Sequence, residues 1–273
     1  MAVTGTRGIL NPLDGFAHFA LDRAPPPDDL APFVERFWGA RWDLEGRPAF
    51  AQEILPFPCV NLSFQAGRFE VHGPGTRRFV AQLAGRGRVF GVKFTPAGFF
   101  AFARVPLRAL VDSVLSVEEA TGRSPPEPAG DDPRTVRAVL EAFLRGFAPA
   151  ARADIARVDH LVAVAQEDRG IARAEDLAQV AGTSVRSLHR LLERHVGVGP
   201  KWIVRRARVQ EAAERVARGE RVDWAMTAQE LGYHDQAHLI RDFRAQVGYP
   251  PAAYARRCAA ALAAGRAEAP AMS

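Results

Sequence analysis

Arg190 and Arg241 stand in the same place in two related stretches of the chain. Residues 184–203 (SVRSLHRLLERHVGVGPKWI) and 235–254 (DQAHLIRDFRAQVGYPPAAY) align at a constant offset of 51. Leu188/Leu239, Arg190/Arg241, Val196/Val247, Gly197/Gly248 and Pro200/Pro251 are identical, and Leu192/Phe243 are both large and apolar. Arg186, His189 and Glu193 surround the first arginine; the second copy offers Gln236 and His238 beside Arg241. A guanidinium matches guanine O6 and N7, and a glutamine amide can pair at two points with adenine. Singly, such residues are solvated helix surface. Twice in register, they indicate one structural unit used two times and suit the reading of base edges.

Each copy carries what is needed to place those side chains on a helix. Ser184 and Asp235 are N-cap residues able to satisfy free helix-end amides. Leu188, Leu192 and Val196 recur every fourth residue and predict a buried stripe, as do Leu239, Phe243 and Val247. Gly197 and Gly248 sit where a helix ends in a left-handed residue, and Pro200 and Pro251 suit the first turn of the next helix. Short helices are expected at 174–181 and 224–231, each followed by a tight turn (Gly182-Thr183 and Gly232-Tyr233). Helix, short turn, helix is the arrangement whose second helix enters a major groove. Between the copies, 202–218 carries Arg205, Arg206, Arg208, Arg215 and Arg218 opposite Val204, Val209, Ala212, Ala213 and Val216. It predicts a continuous helix of about 17 residues, ~25 Å long. Its arginines are expected to meet phosphates, some of them pairing with Glu211 and Glu214 instead.

This pattern resembles the tandem helix-turn-helix domain of the AraC/XylS family of bacterial transcription regulators over residues 174–256. The likeness is carried by Asp176-Leu177-Ala178, by the run from Ser184 to Leu192, and by Gly197-Val198-Gly199-Pro200. In the second half it is carried by Leu231-Gly232-Tyr233, Asp235-Gln236-Ala237-His238-Leu239, Phe243 and Gly248-Tyr249-Pro250-Pro251. Thr227 departs from the usual aliphatic residue, Ala237 from an often polar one, and Ile240 lies near the groove-facing side. The resemblance implies a sequence-specific regulator that binds double-stranded DNA through Ser184, Arg186, Ser187, His189, Arg190, Arg205, Arg206, Gln236, His238 and Arg241. It also implies a small-molecule effector, contact with RNA polymerase and a homodimer. Leu55-Pro56-Phe57-Pro58-Cys59-Val60-Asn61-Leu62 and Gly91-Val92-Lys93-Phe94-Thr95-Pro96-Ala97-Gly98 resemble the less characterised β-rich domain that precedes this unit in some members, with a sensing or dimerising role by analogy.

The rest of the chain fits two regions. Of 17 phenylalanines all but Phe243 precede residue 151, ample material for a separate N-terminal core. Short apolar or alternating runs at 37–42, 53–55, 60–64, 69–72, 79–83 and 89–94 are expected strands of an antiparallel sheet or barrel. Gly85-Arg86-Gly87 and Gly91 read as hairpin turns, and Pro25-Pro26-Pro27-Asp28-Asp29 as a helix start. A loop at 122–134 and a helix at 135–147 follow. The fold class is therefore α+β: a β-rich domain with flanking helices at 1–150, then an all-α tandem domain at 151–257. The Ala-rich stretch 258–273 is expected to be a disordered tail.

The net charge is +5, and from residue 151 onward 19 Lys+Arg face 15 Asp+Glu. An excess of that size is compatible with nucleic-acid binding without establishing it. Cys59 and Cys258 cannot make a four-ligand zinc site or a disulfide framework. The start of the chain lacks a signal pattern, and the apolar stretch at 99–111 is broken by Arg104, Pro106 and Arg108. A cytoplasmic location without membrane attachment is expected. Before residue 151 only His18 and His72 are candidate metal-ligating histidines, without a His-x-His element, and no cofactor motif is evident. Two alternatives stay open: an architectural DNA binder without a ligand, and an N-terminal barrel with enzymatic activity, Cys59 being its one candidate nucleophile.

Overall fold

Among the described residues eight strands form the first half: β1 (Ala20–Ala24), β2 (Val34–Leu44), β3 (Phe50–Ile54), β4 (Asn61–Gln65), β5 (Arg68–His72), β6 (Phe79–Leu83), β7 (Gly85–Phe94) and β8 (Val114–Ser116). The computed structural model describes residues 8–150 and 152–267. Six strands make an antiparallel sheet in the order β1-β2-β7-β4-β5-β8, and β3 pairs with β6 as a separate ribbon. Alternation sorts the side chains. Phe37, Val92, Leu62 and Val71 meet across neighbouring strands on one face, which is buried. The other face turns Trp42 and Val89 toward Leu83 of the ribbon.

Two readings of the β region are corrected. Gly87 and Gly91 lie inside β7 rather than in hairpin turns, paired with Trp42 and Trp38 of β2. A Cβ at Gly87 would sit 2.2 Å from the Trp42 ring and one at Gly91 2.7 Å from Trp38, so each glycine makes room for an indole lying across the neighbouring strand. The proline-acid segment at 25–29 does not start a helix. The chain makes turns over 28–33 and enters β2 because Phe33 and Val34 are drawn into the core.

Ten helices follow or flank the strands among the described residues: α1 (Pro12–Gly15), α2 (Val117–Thr121), α3 (Pro133–Arg145), α4 (Ala153–Glu167), α5 (Ala174–Val180), α6 (Val185–His195), α7 (Pro200–Ala217), α8 (Trp224–Glu230), α9 (Gln236–Val247) and α10 (Pro251–Ala267). α3 starts at the cap Asp132 with Pro133 in its first turn, and buries Val136, Leu140, Phe143 and Leu144. The Ala-rich stretch is no loose tail: α10 runs through it to Ala267, anchored by buried Tyr254 and Cys258. Residues 268–273 of that expected tail lie outside the described residues.

Packing crosses the texture change near residue 150. Phe94, Phe99 and Leu107 share one continuous core with Val162 of α4 and with Leu188 and Leu192 of α6. The second helical unit gathers Leu239, Phe243 and Tyr254 around Leu10 and Leu55 of the first half. A charged seam adds to this. The Glu53 carboxylate receives Tyr249 Oη at 2.6 Å and Arg257 Nη1 at 3.0 Å and pairs with Arg78, while the Tyr249 ring lies between the two guanidiniums.

The arginines of α7 are the main correction to the sequence reading. Arg206 is 1% exposed. It donates to the Pro56 carbonyl at 2.6 Å and to Gln210 at 2.8 Å, with its guanidinium 4.3 Å from the Phe57 ring. Arg208, also buried, donates to the carbonyls of Asp168 and Ile171. Arg205 grips the buried carboxylate of Asp242 on α9 at two points, and Arg215 bridges Glu211 and Glu230. Arg218 pairs with Glu220. Arg206 is not placed to meet a phosphate, because a guanidinium removed from water is stable only when other groups satisfy it, and Arg205, though partly exposed, is already paired with Asp242.

Two stability tests follow from these contacts. Arg206→Ala leaves the Pro56 carbonyl and Gln210 without their donor, so urea unfolding should show a loss of about 3 kcal/mol. Unchanged stability with weakened DNA binding would instead mark Arg206 as a phosphate contact. Asp154 is held by Arg152 at 3.0 and 2.7 Å and by His195 Nε2 at 3.0 Å, and the Arg152 guanidinium keeps its carboxyl well below the usual range. Because the folded value is depressed, the contribution is present above pH ~4 and is lost as pH falls. Asp154→Asn should therefore be less stable than the wild type near neutral pH, with the gap closing in acid; a constant gap would remove the role assigned to the charge.

Candidate nucleic-acid interface

Side-chain caps set the start of both second helices. Ser184 Oγ accepts from Ser187 N at 3.2 Å, and the two hydroxyls are 3.1 Å apart. Asp235 accepts from His238 N at 2.6 Å, which lowers its carboxyl pKa and places its charge at the favourable end of α9. The preceding short helix α8 is capped in the same way by Asp223. Both helices end as their glycines anticipate, with φ of 91° at Gly197 and 87° at Gly248, values that disfavour a side chain. The stripes Leu188, Leu192, Val196 and Leu239, Phe243, Val247 are fully buried. Truncating any one of the leucines would cost about 2–5 kcal/mol. That anchorage fixes which residues turn outward.

Outward on α6 are Arg186, His189 and Arg190; outward on α9 are Gln236 and Arg241. Among the described residues, Arg186, Arg190 and Arg241 have no carboxylate partner within ion-pair distance. His189 stands 3.4 Å from Glu193 on its own helix. His238 is half-exposed, edge-on to Tyr233, and faces Asp242 at 3.8 Å. Partial desolvation, with Arg205 and Arg241 nearby, lowers its pKa, so at neutral pH it presents an uncharged ring. Ser184 and Ser187 serve first as cap and capped residue. Ala237 is exposed and offers only a methyl group.

The charge pattern is thus the reverse of that expected from the arginine-rich linker. Its buried cations are committed to other parts of the protein, while Arg186, Arg190 and Arg241 stand exposed on α6 and α9. Arg194, Lys201 and Arg244 are exposed too and were missed by the sequence reading. Helical spacing could have found two of them, since Arg194 is one turn past Arg190 and Arg244 three residues past Arg241. Asp242 was also missed; a carboxylate three residues after the core Leu239 requires a cationic partner, and Arg205 is that partner.

Little in the first half suits catalysis. Cys59 is buried, and burial pushes its thiol pKa up, away from a reactive thiolate. Ser63 Oγ lies 2.8 Å from His72 Nε2, but Glu70 approaches that same nitrogen at 3.6 Å. A relay would need the carboxylate on the opposite nitrogen. Among the described residues no group of three His, Cys, Asp or Glu side chains is placed to hold a metal ion, and no helix is long and apolar enough to cross a membrane.

Residues 177–257 match the family model of a helix-turn-helix domain, and residues 22–116 match a domain of unknown function. No curated protein sequence matches the chain. Among solved structures, the C-terminal domain of AraT, a response regulator from Geobacillus stearothermophilus, is similar at 20% identity over 37% of this chain and 84% of that one, with a TM-score of 0.33. An apo structure of a single-residue variant of ToxT from Vibrio cholerae is similar at 12% identity over 81% and 97% of the two chains, with a TM-score of 0.39. Another ToxT structure from Vibrio cholerae gives 10% identity over 88% and 98%, also at 0.39. At such TM-scores the structural likeness carries no argument, and the assignment rests on the match at 177–257 together with the two capped, buried and glycine-ended units in register. The C-terminal region is an AraC-type tandem helix-turn-helix DNA-binding domain.

Proposed function

We propose that this DNA-binding regulator reads base sequence through Arg190 on α6 and Arg241 on α9, and that its N-terminal sheet domain carries the response to a small-molecule effector. The observation that carries base reading is the presence of uncommitted arginines at the same position of two capped helices. Each lies two residues past the core leucine, about 200° around the helix, which turns it away from the interior. Gln236, Arg186 and the uncharged His238 complete a surface able to donate and accept hydrogen bonds at base edges. Support for effector coupling comes from the packing: the first half touches the first unit through Leu107 and the second through Glu53, so a rearrangement of the sheet domain reaches both. A homodimer and contact with RNA polymerase belong to the same reading.

Selection of bound duplexes from a random pool, with and without candidate metabolites, tests the first statement directly. Enrichment of one motif is expected. Arg190→Ala should then relax preference at one base pair of one half-site at a cost of roughly 1–3 kcal/mol while keeping its fold. Arg241→Ala should do the same at the other half-site, less severely beside Ala237 and Ile240. Uniform loss of affinity with an intact preference profile would mean that these arginines hold phosphates; failure to enrich any motif would favour an architectural binder.

A further inference from the structure

A cleft of about 290 Å³ separates α6 from the first half of the chain. Its floor is apolar, built from Phe100, Val105 and Leu107, and its rim carries Arg108 opposite Arg190 and Arg194. We propose that Arg108, a residue of the N-terminal region, extends the DNA interface of the first helix-turn-helix unit by gripping a backbone phosphate beside the half-site that α6 reads. The inference rests on the DNA-binding reading above and adds a contact from outside the helix-turn-helix domain.

The position of Arg108 relative to α6 is fixed by close packing. Leu107 is 2% exposed and begins a 3-10 turn, Leu107–Leu110. Its carbonyl comes so near the end of α6 that a Cβ at Gly197 would lie 2.6 Å from it. Only the glycine permits that approach, and its φ of 91° resists replacement as well. The next residue, Arg108, is exposed and has no carboxylate partner within ion-pair distance among the described residues. Arg194 lies over the Phe100 ring at 5.5 Å, which holds its guanidinium at the cleft.

Three guanidiniums therefore surround one apolar-floored cleft, and its single carboxylate, Glu193, is shared with His189. Such an arrangement leaves positive charge unbalanced at the rim of the cleft. An anion at the rim beside Arg108 and Arg194 relieves it. The duplex backbone is the fitting occupant because two of the three cations belong to the recognition helix, which brings its own phosphates to the rim. A phosphate contact carries no sequence information, so Arg108 should add affinity alone.

The test uses the full chain and fluorescence anisotropy with the selected duplex and a scrambled one over a range of salt concentrations. Arg108→Ala should weaken binding to both duplexes about fivefold at near-physiological salt and reduce the slope of log K against log salt by ~0.9. Arg108→Lys should restore most of the loss, and Arg68→Ala, which removes an exposed β5 cation, should leave binding unchanged. Circular dichroism confirms folding of each variant. Arg108→Ala binding as well as the wild type, or tighter, overturns the inference while leaving the helix-turn-helix reading intact. A lost salt slope shared by Arg68→Ala overturns it too, since net charge would then suffice. A wild type that binds no duplex overturns both.

Discussion

Burying a guanidinium demands partners, and α7 buries or half-buries four in succession. Arg205 holds α9, Arg206 reaches the carbonyl of Pro56 in the sheet domain, Arg208 caps the turn between α4 and α5, and Arg215 ties in α8. One helix is thereby joined to α9, to α8, to the turn between α4 and α5 and to the sheet domain by directional, charge-assisted bonds. A continuous apolar seam would tolerate small rotations of the two helix-turn-helix units; five-donor forks aimed at fixed carbonyls and carboxylates do not. α9 is fastened to α7 by this set, whereas α6 is held to it by the apolar contacts of Leu188 and Leu192 with Ile203 and Val204.

That use of arginine decides where the free charge lies. The linker has no exposed stripe of cations to lay along a backbone. Its positive charge is balanced internally by Asp242, Glu211 and Glu230, and by peptide carbonyls. Arg186, Arg190 and Arg241 stay uncommitted on the outward faces of α6 and α9, where buried leucines and valines on the opposite side leave each helix one orientation. The arginines are thus divided, since one group builds the frame and another faces solvent.

The sheet domain is joined to that frame at two ends by different physics. At the first unit the contact is steric, with a glycine accepting the Leu107 backbone at close range. At the second an apolar contact around Leu10 and Leu55 is joined by a polar one, with Glu53 collecting two arginines and a tyrosine hydroxyl in a partly buried site. A close-packed contact changes only in steps, and a shared carboxylate is sensitive to the loss of any donor. The strand β3 that carries Glu53 also pairs with β6, so the ribbon and the second unit are mechanically continuous.

The amino-acid sequence by itself determined the tandem unit. Caps, apolar spacing, terminal glycines and first-turn prolines are local devices, and each works through bonds or contacts within a few residues. The expected helices therefore match α5 to α9 closely, and most expected strands match as well. Gly87 and Gly91 were misread because the indoles that require them come from another strand, over forty residues away in sequence. The same reason explains Arg205 and Arg206: in sequence they are two more exposed-looking cations, and only folding brings Asp242 and the Pro56 carbonyl to them. Tertiary structure alone decided which arginines are frame and which are free, because a charge is committed by partners in space, and those partners lie on elements that local spacing does not connect.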